Sequence, residues 1–223
     1  MAISNEAIRP VGRPRATPGY SSEDVAEEIL MAAAELFAEN GFTTTSTRAI
    51  ADAVGLRQAS LFHYFARKED ILIELLDRTV RPTLDVVHRL KLEKHAPELA
   101  LWHLIRVDTA NLCEPQNLGA LQLLPEARGD QFEFFWRRRN QLFRVYARLI
   151  ARGYDAGTFR EADPRMSAEV VFGLVESVIT ASHSFRQRST TPVVIADAAL
   201  RICGVPPGRA RAVARAARLL EAR

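Results

Sequence analysis

The chain has 223 residues, 48% of them hydrophobic, which is enough to enclose a real core in one large or two small domains. Two cysteines, Cys113 and Cys203, encode no disulfide framework. The richest apolar stretch, Met166 to Ile179, is interrupted by Glu169 and Glu176, which argues against a membrane span, so a reducing, cytoplasmic setting is expected. Thirty basic residues against 27 acidic ones leave a net charge of +3, too little to announce a nucleic-acid binder by bulk charge, so position must carry the argument.

Residues 1–20 hold Pro10, Pro14, Pro18, Gly12 and Gly19 among few apolar side chains and are expected to form a flexible basic arm. Ser21 or Ser22 can cap a first helix in which Val25, Ile29, Ala33, Leu36 and Phe37 recur at helical spacing, and Asn40-Gly41 supplies its stop. Ser46 is a good N-cap for a short second helix to Ala53. Val54-Gly55-Leu56 then interrupts the pattern, and a third helix is expected from about Arg57 to Tyr64. One longer helix over 70–90 should follow, then helices over 97–112, 130–152, 164–185 and 191–202, and a surface helix rich in alanine and arginine over 207–223. No alternating strand pattern competes, so the expected fold class is all-α: a small N-terminal unit of three helices and a larger C-terminal helical bundle.

Two short helices joined by a glycine-bearing turn form a helix-turn-helix, whose second helix presents its leading residues to the major groove of DNA. Gly55 suits a turn position with positive φ, while Ile50, Val54, Leu61 and Phe65 are spaced to pack on the first helix. Arg57, Gln58, Ser60 and His63 remain to face outward, and Arg and Gln are the side chains that fork onto guanine and adenine. Thr47, Tyr64 and Lys68 suit phosphate contacts, which orient a protein on the duplex without reading sequence. From spacing alone, a helical hairpin with ordinary polar surface is an equal reading.

Gly41-Phe42, Ser46, Ile50-Ala51, Gly55, Leu61-Phe62-His63-Tyr64-Phe65 and Lys68-Glu69-Asp70-Ile71-Leu72 together resemble the DNA-binding domain of the TetR (tetracycline repressor) family. The resemblance covers about residues 22–80. It implies an all-helical homodimeric transcription regulator, most often a repressor, whose C-terminal domain binds a small-molecule effector and thereby weakens its hold on a palindromic double-stranded DNA operator. Position by position, it places Ser46 and Thr47 beside the phosphates and Arg57, Gln58, Ala59 and Ser60 at the leading end of the recognition helix. His63 and Tyr64 follow, with Lys68 at the start of the fourth helix. Phe62 stands where the family usually has tyrosine, and Arg57 where a small hydroxyl residue often caps the helix. The implied domains are an arm over 1–20, a helix-turn-helix domain over 21–80 and a ligand-binding and dimerisation domain over 81–223. On the arm, Gly12-Arg13-Pro14-Arg15 resembles the core of an AT-hook, so Arg13 and Arg15 are candidates to enter a minor groove.

The segment Met166 to Phe185 carries only Glu169 and Glu176 as formal charges, too little polar face for a monomer's surface, and so is expected to face the core on one side and a second subunit on another, with a fully enclosed core helix as the alternative. Over 130–152 the apolar stripe runs through Phe132, Phe135, Trp136, Phe143, Tyr146 and Ile150, and Arg139 falls on it. Arg139 is a cation for an anionic or carbonyl-bearing ligand held among Trp102, Phe135, Phe143 and Tyr146, half of an internal ion pair with Asp108, or an arginine whose head reaches solvent. Arg138 reads as a solvated charge. His88, His95, His103 and His183 show no metal-ligand spacing, no cofactor motif is present, and no nucleophile–base constellation supports an enzyme. The alternative function is an architectural protein that binds DNA without sequence preference through its basic arm and tail, where Arg209, Arg211, Arg215 and Arg218 cluster and Val213 and Leu220 are expected to pack down.

Overall fold

Good helix formers at 3.6-residue spacing, punctuated by glycine, proline and hydroxyl residues, dictate short helices with abrupt ends. A computed structural model of the chain describes residues 22–114, 118–160 and 163–221, with side chains up to Ala217, and among these no strand occurs. The chain divides into two compact units, Met1–Ile71 and Leu72–Arg223.

The first unit contains α1 (Ser22–Asn40), α2 (Thr47–Ala53), α3 (Gln58–Leu61) and the start of α4 (Lys68–Arg78). Ile29, Leu30, Ala33 and Phe37 of α1 close over Ile50, Ala51, Leu61 and Ile71, all of them buried. Gly41 ends α1 at φ 82°, and its N–H donates to the Phe37 carbonyl at 3.0 Å. Phe42 then folds back edge-on to Phe37, ring centroids 5.1 Å apart. Val54 and Phe65 are half-buried rather than core.

The second unit holds α5 (Arg81–Leu90), α6 (Pro97–Leu112), α7 (Glu133–Asp155), α8 (Pro164–Glu176), α9 (His183–Arg186), α10 (Thr191–Ile202) and α11 (Pro207–Glu221), with 3-10 turns between α6 and α7 and after α8. The central element is α6, packed by α5, α7, α8, α10 and α11, and its Ala100, Leu101, Trp102, Leu104, Ile105 and Thr109 are fully enclosed. On α11, Ala210, Val213 and Ala217 pack inward, and Arg209 reaches Glu98 of α6 at 2.6 Å. Arg218 and Leu220 lie outside the described side chains.

Three expected helices differ in extent, each for a local reason. The long helix over 70–90 is two, α4 and α5, because Pro82 has no N–H to return to the Arg78 carbonyl. Asn111 of α6 serves that corner instead, its Nδ2 donating to the carbonyls of Arg78 at 3.3 Å and Thr79 at 2.8 Å. The helix over 164–185 ends at Glu176, where hydroxyl side chains compete for the backbone: Ser177 Oγ donates to the Leu174 carbonyl at 2.7 Å and Thr180 Oγ1 to that of Ser177 at 3.3 Å. The recognition helix closes at Leu61, after which the N–H groups of His63 and Tyr64 bond three residues back, to Ser60 and Leu61.

At the end of α5, Lys91 takes the left-handed conformation, φ 48° and ψ 49°. That position is ordinarily glycine, and an L side chain there costs about 1 kcal/mol.

Candidate nucleic-acid interface and effector region

In the first unit, Ser46 has extended backbone, and its Oγ accepts the Ala49 N–H at 3.0 Å, so it caps α2. The turn that follows needs Gly55, whose φ is 68°. The N–H groups of Val54, Gly55 and Leu56 all return to carbonyls of Ala51 or Asp52. This fixes where α3 begins. Arg57 sits just before it with no side-chain capping bond, and Arg57, Gln58, Ala59, His63 and Tyr64 are exposed while Ser60 is half-buried.

Gln58 Nε2 donates to Thr47 Oγ1 at 2.7 Å, a bond between the first turns of α2 and α3 that sequence spacing did not reveal. It braces the two helices and leaves Gln58 Oε1 open as an acceptor. Arg48, also missed, is an exposed cation on α2 whose Nε stands 3.8 Å from Asp52 on the following turn. Phe62, the residue in place of tyrosine, is exposed.

Lys68, expected beside a phosphate, is engaged within the first unit. Its ammonium donates to the carbonyls of Phe42 at 2.6 Å and Thr45 at 2.7 Å and lies 4.3 Å from the Phe42 ring centroid. It thus holds the α1–α2 loop, whose free carbonyls need a donor. Arg13 and Arg15, on the arm, lie outside the described residues.

In the second unit the residues proposed around a ligand are distributed as follows. Arg139 is not paired with Asp108. Its Nε donates to Glu176 of α8 at 2.7 Å, and its guanidinium lies 4.9 Å from the Phe172 ring centroid and 5.5 Å from that of Trp136. Phe143 and Tyr146 both meet Phe172 edge-on, at 5.4 and 5.3 Å. Phe135 is buried edge-on to Trp136, whereas Trp102 turns to α10 and donates from Nε1 to Asp197 Oδ1 at 2.8 Å. Arg138 is not a free surface charge either: it approaches the buried carboxylate of Asp77 at 3.1 Å, beside Arg81, also at 3.1 Å. Burial still outweighs both arginines and raises the Asp77 pKa.

Asp108 is fully enclosed, accepting from Tyr146 Oη at 2.7 Å and Thr83 Oγ1 at 3.1 Å. Burial pushes its carboxyl up to about 6, against the pull of both hydrogen bonds. The same burial and the neighbouring carboxylate raise the Tyr146 phenol well above its ordinary value. His103, buried on α6, is lowered to about 4, first by burial and then by Arg106. Among the described residues, no group of three or more histidine, cysteine or acidic side chains could hold a metal, and no helix is long and apolar enough to cross a membrane.

A capped short helix, a glycine turn and a second short helix with Arg, Gln and Ser at its start, followed in the chain by an all-helical second unit, define a helix-turn-helix regulator of transcription. The family model "Bacterial regulatory proteins, tetR family" matches residues 29–75. The crystal structure of Mycobacterium smegmatis AmtR is 43% identical, covering 87% of this chain and 91% of that one, with a TM-score of 0.73. The fatty acid metabolism regulator protein of Bacillus subtilis (strain 168) is 26% identical over 69% of this chain and 80% of its own length. The transcriptional repressor KstR2 of Mycobacterium tuberculosis (strain ATCC 25618 / H37Rv) is 27% identical over 66% of this chain and 74% of its own. The chain belongs to the TetR family and is a sequence-specific, ligand-responsive DNA-binding regulator of transcription; the architectural alternative is not favoured.

Proposed function

We propose that this protein is a cytoplasmic homodimeric repressor that reads a palindromic operator with α3 and releases it when a small molecule occupies the second unit. Arg57 and Gln58 are the base readers, Ala59 and Ser60 make the close approach, and His63 flanks them. Ser46, Thr47 and Tyr64 seat the phosphates, joined by Arg48, and Arg13 and Arg15 of the arm (1–20) enter the adjacent minor groove. The observation that carries this reading is the exposed start of α3, with Arg57 uncapped and Gln58 held at one edge by Thr47.

The exposed face of α8 supports the dimer. Met166 is 61% and Val170 46% exposed, Gly173 on the same stripe has nothing near its Cβ position, and Val194 of α10 is 49% exposed. Isolated apolar residues are ordinary on a surface, but a stripe at helical spacing with a glycine for close approach suits an isologous helix pair. Two recognition helices about one DNA turn apart then read two half-sites.

The effector region is assigned to the aromatic cluster about Phe172, where Arg139, Phe143 and Tyr146 converge; Trp102 and Phe135 support it from the core. An anionic or carbonyl-bearing ligand would compete with Glu176 for Arg139, and because the boundary between the units falls inside α4, a changed bundle packing reaches the DNA head along that helix. No catalytic role is assigned to any residue.

Selection of bound duplexes from a random pool tests the reading. Enrichment of an inverted repeat, with Arg57→Ala weakening binding by about 1–3 kcal/mol and relaxing the preference at one base pair per half-site, is the expected result. Deleting residues 1–16 should weaken binding and flatten its salt dependence. A purified chain that prefers no duplex over bulk polymer overturns it.

A further inference from the structure

Lysine is almost absent from this protein: Lys68, Lys91 and Lys94 are its only lysines, against 27 arginines. Lys68 is committed to backbone carbonyls in the first unit. The other two both line one groove of the second unit, a concavity of about 330 Å³ between the end of α5, the 3-10 turn Leu92–Lys94 and the middle of α7. Its floor is apolar, made by the buried Val87 and Val145, and His88 and Arg148 stand at its wall. Glu93 is the acid of the groove and is engaged by Arg148 at 2.9 Å.

Neither lysine ammonium has a partner among the described residues, and one of the two side chains is delivered by strained backbone. Lys91 occupies a left-handed helix-end position at φ 48° where glycine is at ease. Strain kept at a lining residue, where a simpler residue would relieve it, is what a ligand contact looks like from the backbone side. An ammonium is a compact point charge suited to phosphate oxygens, and the apolar floor suits the carbon skeleton of the same molecule.

We propose that this groove is a binding site for a small phosphate-bearing molecule, with Lys91 and Lys94 as the phosphate ligands and Val87 and Val145 beneath the organic part. It is separate from the aromatic cluster around Arg139 and does not depend on the assignment of the effector region.

The scarcity of lysine makes the test residue-resolved. Amine-reactive labelling of the full chain, read by mass spectrometry, reports on Lys91, Lys94 and Lys68 individually. With inorganic phosphate and then AMP added at fixed ionic strength, Lys91 and Lys94 should be protected at least about fivefold while Lys68 is unchanged, with AMP acting at lower concentration than phosphate. Lys91→Gly should fold, since its backbone position favours glycine, and should lose the protection of Lys94. Labelling of Lys91 and Lys94 that is indifferent to both anions, or protection of Lys94 that survives in Lys91→Gly, overturns the assignment.

Discussion

Replacing Asp108 by Asn should remove a pH dependence that runs opposite to ordinary acid denaturation. Asp108 is enclosed by α5, α6 and α7, and its carboxyl is raised to about 6 because burial disfavours the charged form more than Tyr146 and Thr83 favour it. Between the unfolded and folded pKa values the native state therefore binds more protons than the unfolded chain. Stability from this group is fully present below the unfolded value of 3.8 and is lost as pH rises through about 6. The full span is about 3 kcal/mol, of which roughly half falls between pH 5 and pH 7.5.

His103 acts in the other direction. Its pKa is lowered to about 4, so its contribution is present above the unfolded value of 6.5 and lost on acidification toward 4. The raw profile of the protein mixes the two, and only the difference between wild type and Asp108→Asn isolates the carboxyl. Urea unfolding of both proteins at pH 5 and pH 7.5, at one fixed protein concentration, provides it. The variant should gain on the order of 1 kcal/mol relative to wild type on going to the higher pH. A wild-type-minus-variant difference independent of pH, or of the opposite sign, would refute the view that Asp108 sits in the core as a burial-perturbed acid.

Lys68→Met should lower the melting temperature, since the carbonyls of Phe42 and Thr45 lose their donor, while the slope of log affinity against log salt for operator DNA stays unchanged; a slope reduced by about one unit would return Lys68 to the phosphates. Gly55→Ala meets no neighbour within 4 Å, so its whole penalty is the left-handed backbone, about 1–2 kcal/mol, whereas Gly55→Asn should retain most of the stability and DNA binding; equal loss in both by thermal melting would refute the turn argument. Val170→Glu places a charge on the exposed stripe of α8 and should convert the dimer to monomer in sedimentation equilibrium, with the helical content preserved; a dimer of undiminished affinity would move the interface elsewhere.

What the sequence made legible follows from the range of the interactions involved. Ser46 capping α2, Gly41 ending α1 and Gly55 turning between helices are decided within three or four residues by side-chain oxygen and backbone conformation, so local chemistry sufficed. The helix break at Pro82 was hidden because Leu76, Val80, Leu84 and Val87 carry the apolar spacing straight across it, all of them buried. Only the rescue of the Arg78 and Thr79 carbonyls by Asn111, more than thirty residues away, makes the corner stable. Periodicity cannot see that.

The same distinction separates the two functional regions. A helix-turn-helix is defined by where a short helix starts and which way it is aimed, and the start of α3 depends on a few consecutive backbone bonds. A ligand region in a helical bundle is defined by pairs brought together from different helices. The partner of Arg139 is 37 residues away and that of Arg138 is 61 residues away, each on another helix. Helical spacing correctly placed Arg139 on the inward stripe of α7, but with several carboxylates on neighbouring stripes it had no means of choosing Glu176 over Asp108. Burial separates the two: Glu176 is a quarter exposed and meets the guanidinium, while Asp108 is shut away with two hydroxyl donors and its pKa is raised by that burial. The cation on the inner face of this bundle therefore pairs with the acid that water still reaches, a choice made by solvent rather than by spacing.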